Sequence, residues 1–217
     1  MKNLAKKFLT KTEQESIQAA VRQTESLTSG EIVPLVVSAS YHYPVAGILG
    51  GATFAIPISI FLTPVVCGLF WTDPRNMWVF LCLFIILFSL FYQIVQFIPW
   101  LKRLFISRRE INAEVEEAAL TSFYKNKLYE TRDKTAVLLF ISVFERKVWI
   151  LADRGIDEKL SQKPWQGIVD HVIQGIKKGR QCAAICEAVQ QIGQILQTNF
   201  PVKPEDTDEL KNLIIGE

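Results

Sequence analysis

Hydrophobic and polar positions follow three regimes along the chain. Residues 12–43 mix them as a soluble segment does, residues 45–101 lose almost every polar position, and from 107 onward the mixture returns. In the first regime Ile17, Ala20, Val21, Thr24 and Leu27 recur every three or four residues, one face of a helix. The spacing predicts a helix over 12–28, opened by a Thr12/Glu15 capping box and stopped at Ser29-Gly30. Glu31–Ser40 then reads as a strand, which Pro34 assigns to an edge or a bulge.

In the second regime, Val45–Trp71 is 27 residues without a charge and Asn76–Leu101 is 26 more. A helix of about 20 apolar residues crosses a bilayer, so both runs predict transmembrane spans, over 45–71 and 76–101. Pro57 and Pro64 interrupt the hydrogen-bond ladder of the first span. Gly47 and Gly51 have the spacing that lets helices approach closely, within the chain or between copies in a homo-oligomer. Gln93 and Gln96 offer hydrogen bonds to the first span. Trp71, Trp78 and Trp100 fall near the interfaces. The spans hold no Asp, Glu, Lys, Arg or His, which argues against an ion or proton pathway. Lys102, Arg103, Arg108 and Arg109 follow the second span, whereas the short loop offers only Arg75 beside Asp73. Positive-inside therefore predicts an integral membrane protein with both termini and the soluble domain cytoplasmic; the expected location is a bacterial inner membrane. The same four residues are expected at anionic headgroups of the lipid bilayer, and Leu4, Phe8 and Leu9, with Lys2, Lys6 and Lys7, to rest on it.

In the third regime Ile111, Val115, Ala118, Ala119, Phe123 and Leu128 mark a helix over 108–128. Thr135–Ser142 is a continuous apolar run, the pattern of a strand buried on both faces. Phe144-Glu145-Arg146 turns the chain into a returning strand, Lys147–Asp153. Two helices follow, one from Pro164 to Gly179 and one ending near Gln197. Neither 1–43 nor the later hairpin has enough surface to bury a core alone. The first strand is therefore expected to pair with 135–142. The resulting fold class is α/β: a small helix–sheet–helix sandwich of about three strands and four helices, interrupted by a two-helix transmembrane hairpin. The boundaries read 1–43, hairpin 44–102, remainder 103–200 and acidic tail 201–217.

Charge adds little: 24 Lys and Arg face 22 Asp and Glu, and all lie outside the two spans, with only Asp73 and Arg75 between them. No basic face large enough for nucleic acid is apparent. Asp153, Asp157 and Glu158 cluster at a strand end and the next loop. Carboxylates so grouped are oxygen ligands for Ca²⁺ or Mg²⁺, or else solvated turn residues, with Asp157 or Ser161 capping the next helix. Glu145, Arg146 and Gly155 are turn or binding candidates. His42 and His171 are the only histidines, and no Ser–His–acid set or phosphate-binding glycine loop is present. Cys67, Cys82, Cys182 and Cys186 form no CxxC pair and are expected to pack as small apolar side chains.

The ordered set Thr12/Glu15, Gly30-Glu31-Ile32, Glu145-Arg146, Asp153-Arg154-Gly155-Ile156-Asp157-Glu158-Lys159-Leu160, Gly193, Ile195-Leu196 and Phe200-Pro201 resembles the TPM-domain family. The resemblance covers most of 10–42 and 107–213, and resembles a branch with an inserted transmembrane hairpin. It implies a small α/β sandwich in membrane-linked proteins. Such members are described as acid phosphatases, some metal-binding, or as accessory factors of membrane complexes such as photosystem repair. Ordinary members often carry an Asp after the glycine turn, where this chain reads Leu160-Ser161-Gln162. Such a site would be one carboxylate short. The expected function is a membrane-anchored, non-catalytic adaptor or accessory factor for a membrane-protein partner; the alternative is a membrane-bound, metal-dependent phosphatase acting through the acidic loop.

Overall fold

The structure is a computed structural model and describes residues 4–71, 73–160, 163–202 and 210–216. Its contacts divide into two compact units, 1–41 with 112–217, and 42–111.

The first unit is built on a mixed sheet. Strands β1 (Glu31–Val37), β2 (Ala136–Ser142), β3 (Lys147–Ala152) and β4 (Ile214–Ile215) lie in the order β3-β2-β1-β4. β1 pairs parallel with β2, in register from Glu31 opposite Ala136 to Val37 opposite Ser142, and β3 returns antiparallel to β2. β2 is buried at every position, as its unbroken apolar run requires. The short β4 adds a strand that the acidic-tail reading omitted; 203–209, the acidic part of that tail, lie outside the described residues. β4 pairs with β1 only at Leu35 and Val36. The missing N–H of Pro34 points to this side, where β1 has no strand partner among the described residues: the Ile32 N–H, one step before it, goes instead to Glu25 Oε1 at 2.9 Å. Proline is thus tolerated because the sheet has no partner for it there.

Three short helices were not anticipated: α1 (Leu4–Phe8), α5 (Pro99–Leu104) and α7 (Arg154–Asp157). The others are α2 (Lys11–Glu25), α3 (Pro44–Leu69), α4 (Met77–Phe97), α6 (Arg108–Lys125), α8 (Lys163–Lys177) and α9 (Gln181–Asn199); α4 stops short of the predicted 76–101 span because Pro99 starts α5. One sheet face carries Ile32, Val36, Val137, Leu139, Ile141, Val148 and Ala152, packed with Ile17 and Val21 of α2, Ile168 and Val172 of α8, and Ile185, Val189, Ile192 and Leu196 of α9. α2 starts at Thr10, not Thr12: Thr10 accepts from the Glu13 N–H, and the Glu13 carboxylate accepts from the Thr10 N–H at 2.8 Å. Two overlapping boxes stand two residues apart, and the earlier one closes. The helix also ends earlier, at Glu25, leaving Leu27 half exposed instead of on the core stripe. The 108–128 helix likewise stops at Lys125, and Leu128 is buried from a following 3₁₀ turn. Ala5 and Leu9 belong to the core, which corrects the expectation that Leu9 rests on a bilayer. Gly179, in the left-handed region at φ 71°, ends α8 as its position predicted.

The second unit is a helical hairpin. α3 runs through Pro57 and Pro64. Gly47, Gly50 and Gly51 face Tyr92, Gln96, Val95 and Phe88 of α4, so these small residues serve close packing within the hairpin. Both helices are long and apolar enough to cross a membrane, and the most apolar stretch of α4 is only 6% buried, which a soluble core helix would not be. Trp71, Trp78 and Trp100 are exposed at its two ends. Lys102, expected at headgroups, is instead buried: its Nζ donates to the His42 carbonyl at 2.5 Å and to Gln96 Oε1 at 2.6 Å. A buried ammonium close to apolar helices is held where oxygens accept from it. Arg103 is half-buried, while Arg108 and Arg109 are exposed.

Candidate functional site

The acidic turn is assembled by the end of β3. The Asp153 N–H continues the ladder to the Ala136 carbonyl at 2.8 Å, and the chain then turns into α7. Asp153 is the N-cap of that helix, its Oδ1 accepting from the Arg154 N–H at 2.7 Å. The side chain is over nine-tenths buried, and its Oδ2 has no hydrogen-bond partner among the described residues. Gly155 follows because nothing larger fits: a Cβ there would stand 2.7 Å from the Lys134 carbonyl oxygen and 3.0 Å from that of Asp133. The Gly155 N–H donates to that Lys134 oxygen, docking the turn on the loop before β2.

Asp157 lies on the outer side of α7. Partial loss of water raises its carboxyl above the ordinary value, and the neighbouring Asp153 carboxylate adds to this. Glu158 leaves the cluster: its Oε1 accepts from Arg154 Nε at 2.8 Å on an exposed surface. Asp157 caps no helix, and Ser161 lies outside the described residues. Among the described residues, no three His, Cys, Asp or Glu side chains group closely enough to hold a metal ion. A hard cation takes six or more oxygens, so the described donor set does not fit one.

Glu145 and Arg146 separate in the structure. Glu145 is fully buried: its Oε1 accepts from the Ser40 N–H at 2.9 Å, its Oε2 accepts from the Ser142 hydroxyl, and Ser40 Oγ donates to Ser142 Oγ at 3.0 Å. This network ties the segment after β1 to the β2–β3 turn. Burial with satisfied acceptors is the mark of a structural carboxylate. Arg146 takes the left-handed position of the turn, φ 53°, and points outward. His171 is exposed and pairs with Glu187 at 2.5 Å. Cys182 and Cys186 are free thiols one turn apart. Burial, followed by Cys182, pushes the Cys186 thiol up to about 11.

Sequence reasoning passed over the open edge of β3. Trp149 and Leu151 on one side of the strand and Trp165 of α8 on the other line a groove of about 660 Å³. The signal was present as an apolar strand with no fourth strand to cover it, but periodicity does not say which strand ends the sheet.

Residues 104–195 match the family model of the TPM domain. The fold is similar to the NMR structure of the BA42 protein from the psychrophilic bacterium Bizionia argentinensis, with a TM-score of 0.59 and 20% sequence identity over 97% of this chain and 96% of that one. At that identity the likeness concerns the fold alone. No curated protein matches the sequence.

Proposed function

We propose, for a chain whose residues 104–195 match the family model of the TPM domain, that it works as a membrane-anchored, non-catalytic adaptor or accessory factor for a membrane-protein complex. The observation that carries this reading is the use made of the candidate carboxylates. Glu145 is consumed in the turn network, Glu158 in an ion pair, and one oxygen of Asp153 in a helix cap. No nucleophile and base stand together among them. The membrane anchor is supported by α3 and α4, each long and apolar enough to span. Arg103, Arg108 and Arg109 support an orientation with both termini and the TPM domain cytoplasmic, with Arg108 and Arg109 exposed for anionic lipid.

The alternative, a membrane-bound phosphatase using Mg²⁺ or Ca²⁺, draws on one observation: the buried, unpartnered Asp153 Oδ2 beside Asp157. Phosphomonoester hydrolysis by the full-length protein in mild detergent, with and without Mg²⁺ or Ca²⁺, separates the two. The adaptor predicts the same background rate for the natural protein and for the Asp153→Asn/Asp157→Asn double variant. Metal-dependent turnover that the double variant loses would overturn it.

A further inference from the structure

The free edge of β3 is built to accept another strand. β3 ends the sheet. The Asp153 N–H bonds to Ala136 O, so antiparallel alternation puts Leu151, Trp149 and Lys147 in the hydrogen-bonded pairs with β2 and turns the backbone of Val148, Ile150 and Ala152 outward. Three N–H and C=O pairs, two residues apart, therefore line an edge that no strand pairs among the described residues. Natural sheets usually cover such an edge; here a groove of about 660 Å³ runs along it. Val115 and Leu120 of α6 form one wall and Trp165, Val169 and Ile173 of α8 the other. The walls lie on opposite faces of the sheet, so alternate side chains of an added strand would each meet an apolar surface. Trp165 supplies a further donor: its buried Nε1 has no acceptor among the described residues.

Charge selects the occupant. Among the described residues, Glu116, Asp157 and Asp170 line the groove against Lys147 alone. A second copy pairing edge to edge would bring the same carboxylates together, which like-charge repulsion opposes. We infer that this edge binds, by strand addition, an extended polypeptide segment of a partner in which apolar residues alternate with lysine or arginine. The inference rests on the adaptor reading and names the chemistry of the partner.

The test titrates full-length protein in detergent micelles with a synthetic peptide of about eight residues, near the usual strand length, alternating lysine and valine. Tryptophan fluorescence and calorimetry read the binding. Saturable binding is expected, weakened about tenfold or more by Glu116→Lys/Asp170→Lys. Ile150→Pro should weaken it similarly, because it removes an outward N–H and leaves the β2 ladder intact. Methylating alternate peptide nitrogens should do the same, and this arm decides if Ile150→Pro fails to fold. No saturation up to roughly 1 mM overturns the inference. So does equal affinity for a glutamate–valine peptide or for the methylated peptide. A dimer, by light scattering, that Ile150→Pro dissolves would make a second copy the occupant and overturn it too. Phosphatase turnover sensitive to the double variant would sink the adaptor reading alone, since peptide affinity does not depend on that assay.

Discussion

Gly193 makes the packing of α9 on α2 testable. A Cβ at this position would lie 1.8 Å from Thr24 Cγ2 and 3.3 Å from Thr24 Cβ. Thr24 cannot simply turn away, because its hydroxyl donates to the Ala20 carbonyl at 2.8 Å and the residue is buried. Gly193→Ala therefore overpacks the helix contact, at a cost of about 1–3 kcal/mol. Alanine recovers up to about 1 kcal/mol through its better helix propensity. With the full recovery the net loss is about 0–2 kcal/mol, a melting temperature lower by up to roughly 8 °C for a chain of this size. Thr24→Ser removes the clashing methyl and keeps the hydroxyl. In that background the penalty should vanish and the propensity gain remain, a coupling of about 1–3 kcal/mol. Near-UV circular dichroism melts of the four full-length proteins in the same detergent measure it. A higher melting temperature for Gly193→Ala alone, or an equal loss with and without the Thr24 methyl, would refute the argument.

Glu145→Ala strands the Ser40 N–H and the Ser142 hydroxyl inside the fold and should cost about 3 kcal/mol, read as a lowered melting temperature; an unchanged melt would show the network is dispensable. Asp157→Asn should raise stability at pH 7, with the gain shrinking as pH falls toward the ordinary carboxylate range. The native fold holds this carboxyl's pKa above the unfolded value, so its contribution is present at low pH and lost as pH rises through the folded value; a gain that grew on acidification would contradict this. Cys186, with its thiol at about 11, should alkylate roughly tenfold more slowly than an unperturbed thiol at pH 8 in the folded chain, the loss of thiolate being partly offset by its greater nucleophilicity, as mass spectrometry of iodoacetamide-treated protein would show.

Much of the fold is legible in local pattern, because local pattern reports what a segment does with water. The two uncharged runs became α3 and α4, the unbroken run 136–142 became the fully buried β2, and the parallel partner of β1 followed from the shortage of surface on either side of the hairpin. The resemblance carried by Glu145-Arg146 and the glycine turn pointed to the TPM domain that matches 104–195. What the chain alone left open depends on groups far apart in sequence. The choice between Thr10 and Thr12 as cap, the burial of Lys102 against His42 and Gln96, and the docking of Ile214–Ile215 on β1 are settled only when a partner is present to satisfy a charge or a peptide group. The candidate site shows the same division. Asp153, Asp157 and Glu158 could be found as carboxylates near a turn, but their fates as a cap, a desolvated acid and an ion-pair partner were decided by tertiary contacts and local geometry. The open edge of β3 belongs to this second class as well, since a strand becomes an edge only by the order in which its neighbours assemble.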